Sequence, residues 1–229
     1  GEGYSCLADL NFSFEYDLEA AERNHRKAIQ LSPQSVFVRE SYCIYLASRG
    51  RLGEALSEIK TLIEIDPLYV HGYLYLGRSF YFLKRNDDSI AAYQKGLEID
   101  PNNLNILSWM FATYGAQGRY DKALEIAERY EKNNPAEYWG SLALIEAWRG
   151  NKSAAEKNKE TAKEFFRNPW HAAHFYAAVG ERNLALGQLN ILFQENRGVL
   201  GDCFMLHSFD KYRSDPDFVG LLRKSGFEQ

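Results

Sequence analysis

The sequence predicts an all-α fold, a solenoid of stacked helical hairpins, on three observations. Five of the six prolines, Pro33, Pro67, Pro101, Pro135 and Pro169, follow one another at intervals of 34 residues, and a fixed period in this range marks stacked repeats. The first three prolines close the same phrase of apolar residues at helical spacing: Lys27-Ala28-Ile29-Gln30-Leu31-Ser32-Pro33, Thr61-Leu62-Ile63-Glu64-Ile65-Asp66-Pro67 and Lys95-Gly96-Leu97-Glu98-Ile99-Asp100-Pro101. Upstream of the second and fourth prolines lies a turn signal, Gly50 with Ala55 and Gly118 with Ala123, in which glycine suits a left-handed residue ending one helix and alanine lets the next approach closely.

In chain order these signals divide the sequence into hairpins of about 2–33, 36–67, 70–101, 104–135, 136–168 and 170–195, within one domain of residues 1–229. Each proline is expected to stop a helix, and the Ser or Asp before it to cap the next. After Pro135 the register drifts, since Gly150 with Ala155 and Gly180 with Ala185 recur at 30 to 32 residues. The fifth hairpin is therefore expected to pair helices at 136–148 and 153–166, and the sixth at 170–179 and 183–195. Between Asn196 and Asp215 no clear period exists, and a short helix near 202–207 is expected there because long structureless loops are uncommon in compact domains. Ser214-Asp215-Pro216 reads as a helix start, and Phe218, Leu221 and Leu222 form the apolar stripe of a terminal helix that caps the last hairpin, the cap spanning about 200–229.

The pattern resembles the tetratricopeptide-repeat (TPR) family. The third repeat carries it best, with Tyr73, Leu76, Gly77 and Phe80 on its first helix and Ser89, Tyr93, Gly96 and Pro101 on its second. Repeat one keeps Phe12, Ala21, Ala28 and Pro33; repeat two keeps Leu46, Ala55, Ile59 and Pro67; repeat four keeps Tyr114, Ala123 and Pro135 but places Tyr130 where a small residue is usual. The resemblance implies a right-handed α-α superhelix whose concave face, lined by the first helix of each hairpin, holds a protein or peptide. The two ends, Phe14-Glu15-Tyr16-Asp17-Leu18-Glu19-Ala20-Ala21 and Phe209 to Phe227, look like those of the C-terminal TPR region in multidomain prokaryotic signalling and transcription-regulatory proteins. On that likeness the chain is the regulatory or sensory part of such a protein, and its partner can be another domain of the same polypeptide.

The resemblance also supplies the candidate binding residues: Phe37, Glu40, Ile44, His71, Leu74, Arg78, Tyr81, Asn105 and Ser108. Arg78 beside Tyr81 is the pair singled out, because a guanidinium and an aromatic ring together suit a carboxylate and an apolar side chain. Some TPR proteins grip a C-terminal carboxylate with Lys and Asn on the first helix; the matching positions here are Cys6 and Leu10, so that clamp is absent. The alternative expectation is an assembly scaffold that forms homodimers through its ends or convex face.

Composition narrows the remaining classes. A net charge of -4 with interspersed signs lacks the footprint of a nucleic-acid binder. No apolar run approaches the ~20 residues of a membrane span and no charged-then-apolar leader opens the chain, although a start at Gly1 is compatible with a fragment. Cys6, Cys43 and Cys203 are too far apart for a zinc knuckle and read as small buried apolar residues in a reducing, cytoplasmic setting. Trp170, His171, His174 and Tyr176 cluster on the first helix of the sixth hairpin, where the i, i+3 histidine pair can face one metal, but a third metal ligand is not evident, so packing is expected and no metal or other cofactor. Nucleotide, hydrolase and metalloprotease motifs are missing, and Asp87 and Asp88 read as a helix-start cluster, so no enzymatic activity is expected.

Overall fold

The computed structural model describes residues 1–131, 134–195, 201 and 204–227, which build helices and the turns between them, with no strand among the described residues. They group into two compact units, one built on Gly1–Asn103 and one on Leu104–Glu195; Gly201, Gly226 and Phe227 group with the first and residues 204–225 with the second.

Three hairpins make the first unit: α1 (Glu2–Leu10) with α2 (Leu18–Leu31), α3 (Val36–Ser48) with α4 (Leu52–Ile65), and α5 (Val70–Phe82) with α6 (Asn86–Ile99). Each second helix stops two residues short of a proline. The residue between, Ser32, Asp66 or Asp100, takes φ of -139°, -135° or -128°, because the ring of the following proline clashes with a helical predecessor. Asp17 then caps α2 by accepting from the Ala20 N–H, and Ser35 caps α3 by accepting from Val38.

The helices of a hairpin meet where side chains are small. Ala21, Ala28 and Ala55 are fully buried, and a Cβ on Gly77 would lie 2.2 Å from the ring of buried Tyr93. Tyr42, Cys43, Tyr45, Leu46 and Ile59 fill the space around these contacts; each large side chain so buried is worth roughly 1.5–3 kcal/mol. The reversals between paired helices need a left-handed residue. Gly50 supplies it at φ 81°, whereas the first and third hairpins use Tyr16 at φ 55° and Lys84 at φ 61°. Tyr16 follows a π-helical turn, Asn11–Glu15, which is tied down by Asn11 donating to Glu15 and accepting from Asn24 of α2.

The second unit repeats the plan with a different use of its prolines. It contains α7 (Leu104–Ala116) with α8 (Tyr120–Glu128), α9 (Pro135–Trp148) with α10 (Lys152–Thr161), and α11 (Pro169–Val179) with α12 (Arg182–Glu195). Pro135 and Pro169 do not close a hairpin, as the period suggested; each is the first residue of a helix. At nine residues, α8 ends well before Pro135, and Asn134 and Asn168 stand ready as caps, accepting from the Glu137 and Trp170 N–H groups. Proline fits the position that follows a cap, since its missing N–H would have no partner inside the helix. The expected helix at 153–166 is likewise shorter: α10 stops at Thr161 and Phe165–Arg167 form a 3₁₀ turn, whose Phe165 ring lies where a Cβ on Gly140 would be.

Beyond α12, Gly201, Phe204 and Met205 are helical, where a short helix near 202–207 is expected, and a 3₁₀ helix follows at His207–Tyr212; Asp202 and Cys203 lie outside the described residues. The terminal helix α13 (Pro216–Lys224) packs against α12 and buries Phe218, Leu221 and Leu222. Asp215 starts it by accepting from the Asp217 and Phe218 N–H groups, and Arg182 of α12 bridges Asp215 and Asp217 at 2.5–2.7 Å. These bonds hold the Asp215 carboxyl at about 2, below the usual carboxylate range.

Candidate functional site on the first helices of the hairpins

In the first unit α1, α3 and α5 are neighbours, and the face they share gathers several of the residues singled out by their spacing. Its centre is Glu40 of α3. Three donors reach this carboxylate from the next hairpin: the Tyr69 hydroxyl at 2.7 Å, the Tyr75 hydroxyl at 3.1 Å and, in its Nδ1–H form, His71 at 3.1 Å. Burial, reinforced by the Glu40 charge, pushes the phenol pKa values of Tyr69 and Tyr75 upward, so both stay protonated and keep donating. Helical spacing makes the cluster possible: Tyr75 lies one turn beyond His71, and Tyr69 directly precedes α5. Around it the surface is apolar. Phe37 (45% exposed) and Ile44 (41%) flank Glu40 on the same helix, and Leu10 and Phe14 continue the exposed apolar surface on the preceding hairpin.

The candidates separate clearly. Glu40 and His71 are brought together, and Arg78 joins them indirectly, its guanidinium lying 5.7 Å from the Tyr75 ring centre and 5.9 Å from that of Phe82. Tyr81 does not share that surface. At 1% exposed, Tyr81 is buried and stacks edge-on with Phe82, and Leu74 is buried as well, so neither lines a surface. Both point inward because they lie seven residues apart on one face of α5, the face this helix turns to its packing neighbours. Asn105, exposed, and Ser108, half-buried, belong to α7 of the second unit. Spacing alone missed Tyr69 and Tyr75, whose signal was the run of tyrosines around His71.

Cys6 also departs from expectation. It is exposed on α1, at the position of the family's carboxylate-gripping residue, while Cys43 is buried and burial pushes its thiol pKa up. Asp87 and Asp88 occupy the first turn of α6, with Asp88 paired to Arg85.

A second polar network sits among α2, α3 and α4, beside a cavity of about 470 Å³ lined by Arg26, Ile29, Tyr42, Leu46, Ser57 and Glu58, among others. Glu22 accepts from Arg51 (2.6 Å), Arg26 (2.7 Å) and Tyr42 (2.9 Å). Burial works to raise the Glu22 carboxyl, but the hydrogen bonds from Arg51, Tyr42 and Arg26 outweigh it and its pKa falls below the ordinary value. Every donor comes from this chain, so the network reads as a brace between hairpins.

In the second unit His171 stacks on Phe165 at 3.9 Å and His174 lies between Trp148 and Trp170, at 5.7 and 6.0 Å. Burial lowers the His171 pKa to about 4, and burial with the nearby His171 and His207 lowers that of His174 to about 3. Among the described residues no three His, Cys, Asp or Glu side chains are arranged to hold a metal ion, and no helix is long and apolar enough to cross a membrane.

Two tetratricopeptide-repeat family models match this chain, over residues 44–103 and 83–145. The chain contains tetratricopeptide repeats. An Hsp70-Hsp90 organizing protein 2 from Arabidopsis thaliana is 32% identical over 97 residues, 42% of this chain and 17% of that protein. A small glutamine-rich tetratricopeptide repeat-containing protein 2 from Mycosarcoma maydis is 32% identical over 87 residues, 38% of this chain and 25% of that one. The alignments thus span a quarter or less of these relatives' length. Among solved structures, a tetratricopeptide repeat protein from Parabacteroides merdae ATCC 43184 aligns over 100% of this chain and 95% of its own, with a TM-score of 0.58 at 19% identity. That likeness shows the TPR solenoid fold and no more.

Proposed function

We propose that this chain is a protein-protein interaction module that holds a polypeptide on the α1, α3 and α5 face of its first unit. The observation that carries the reading is the Glu40 cluster set among exposed Phe37, Ile44, Leu10 and Phe14: a fixed polar group within apolar surface is what gives an interface both orientation and affinity. Tyr69 and Tyr75 hold the carboxylate in one position, so a partner finds it preorganised. The same bonds also bridge α3 to α5, a structural role the residues perform whether or not a partner is present.

The partner differs from an acidic chain end. Cys6 and Leu10 stand where the family's carboxylate clamp has Lys and Asn, and α1 carries no basic residue. The organizing relatives' named chaperones are therefore not the ligands this face favours. The narrower reading, a regulatory or sensory part of a signalling or transcription-control protein, rests on the resemblance of the two ends.

The test is affinity capture from the source organism with quantitative mass spectrometry, comparing the chain with Ile44→Glu, Phe37→Glu and Arg78→Ala variants. A specific partner should be retained by the parent chain and lost at least about tenfold with Ile44→Glu, the scale of one interface anchor. Partners bound equally by all variants would place the interaction elsewhere.

A further inference from the structure

The 34-residue period allows each helix of the first unit to be compared with its counterpart one hairpin on. Tyr4 and Leu7 of α1 correspond to Val38 and Ser41 of α3 and to Gly72 and Tyr75 of α5. In α3 and α5 these positions face the preceding hairpin. Val38 is fully buried and Ser41 donates to Asp9 of α1; a Cβ on Gly72 would touch Ile63 and Leu62 of α4, and Tyr75 donates to Glu40 of α3. In α1 the same positions are apolar and open, with Tyr4 42% and Leu7 43% exposed. A terminal repeat that ends a stack needs a polar outer face, and this one has the composition of an inner layer.

We infer that α1 is an internal layer of the stack, and that a further helical hairpin of the same polypeptide, preceding Gly1, packs on Tyr4 and Leu7. Continuity of the stacking interface fixes where it sits. A further observation fixes what it is. The patch amounts to a few side chains on a nine-residue helix, far fewer than the roughly 20–30 residues a side of a stable interface between separate proteins, so its occupant gains from being covalently tethered.

Hydrogen exchange on the natural polypeptide, including whatever is encoded before Gly1, set beside the 229-residue chain, tests this. Amides of α1 should exchange at least about tenfold more slowly in the longer polypeptide. Leu7→Glu should lower its Tm by about 3–6 °C while leaving the 229-residue chain unchanged, since there Leu7 already meets water. Equal exchange of α1 in both, Leu7→Glu silent in both, or a natural start at this position would overturn the inference. A concentration-dependent dimer of the 229-residue chain that Leu7→Glu dissolves would overturn it in favour of a second copy.

Discussion

The two units read the same period in different ways. In the first, prolines stand between helices and polar groups bridge neighbouring hairpins: Glu40 with Tyr69, His71 and Tyr75, and Glu22 with Arg51 and Tyr42. In the second, prolines begin helices, and the corresponding layers meet through rings: Trp109 on Trp170, Trp148 beside His174 and Phe165 on His171. One 34-residue rhythm is thus compatible with a hydrogen-bonded and an aromatic way of joining hairpins. Hydrogen-bonded bridges leave charged and polar groups near the surface, where a ligand can meet them. The aromatic layers bury their polar groups and offer chiefly stability.

Acid should separate the two units most strongly. His171 and His174 are held neutral by burial, with pKa values of about 4 and about 3 against an ordinary value near 6.5; the first unit has one such group, His25, at about 4. Because the folded values are depressed, the unfolded chain binds more protons between pH 6.5 and 4. Stability is therefore complete above 6.5, falls as the pH drops below it, and stops falling once the folded groups also protonate. Each histidine contributes a slope of up to about 1.4 kcal/mol per pH unit in that window, so the second unit loses roughly twice as much as the first. Hydrogen exchange at pH 7 and pH 5, resolved by segment, should show α9 and α11 opening before α2 and α3. Equal loss in both units would mean that the histidines of the second unit are hydrated.

The close approaches between helices offer a smaller, matched test. A Cβ on Gly77 would meet the Tyr93 ring at 2.2 Å, one on Gly115 the Trp148 ring at 2.3 Å, and one on Gly53 nothing within 4 Å. Gly77→Ala and Gly115→Ala should each destabilise by about 1–3 kcal/mol, because Tyr93 is buried and the half-buried Trp148 ring is held between Phe111 and His174, so neither has room to give. Gly53→Ala should be neutral or gain up to about 1 kcal/mol from helix propensity. Urea midpoints of the three variants check this. If Gly115→Ala is harmless while Gly77→Ala is not, the tryptophan layer is the looser of the two.

What the sequence made legible follows from what repeats. Proline, alanine and aromatic positions recur because every hairpin needs the same stop and the same close contact, so the helices of the first unit and the terminal helix with Phe218, Leu221 and Leu222 could be placed from spacing alone. The reading failed where one residue type serves two ends. The period reads Pro135 and Pro169 as stops between hairpins, yet proline fits the first position of a helix as well as the residue after its end, and the asparagine before each distinguishes the cases. For the candidate site, helical spacing picks out Glu40, His71 and Arg78 but selects Tyr81 and not Tyr75. Both are aromatic, and which one turns inward depends on a rotation of α5 that side-chain type does not encode.

The turns are the subtlest case, and they also distinguish the units. Gly118, Gly150 and Gly180 make all three reversals of the second unit with φ between 70° and 84°, whereas only Gly50 does so in the first. The third hairpin has no turn glycine, and Lys84 takes φ 61° in its place. A lysine there bears the crowding of Cβ against its own carbonyl that glycine escapes, a strain of about 1–2 kcal/mol. Glycine would remove the strain but loosen the unfolded chain, an opposing entropy of roughly 0.5–1 kcal/mol. Lys84→Gly should therefore stabilise the protein by about 0–1.5 kcal/mol, and Gly150→Lys, which meets the same two terms with opposite sign, should cost about 0–1.5 kcal/mol. Thermal melts of the two variants measure the difference directly. If Gly150→Lys is tolerated as readily as Lys84 is in the native chain, the left-handed turn is set by the packing of the flanking helices, and glycine at these positions is a convenience of sequence.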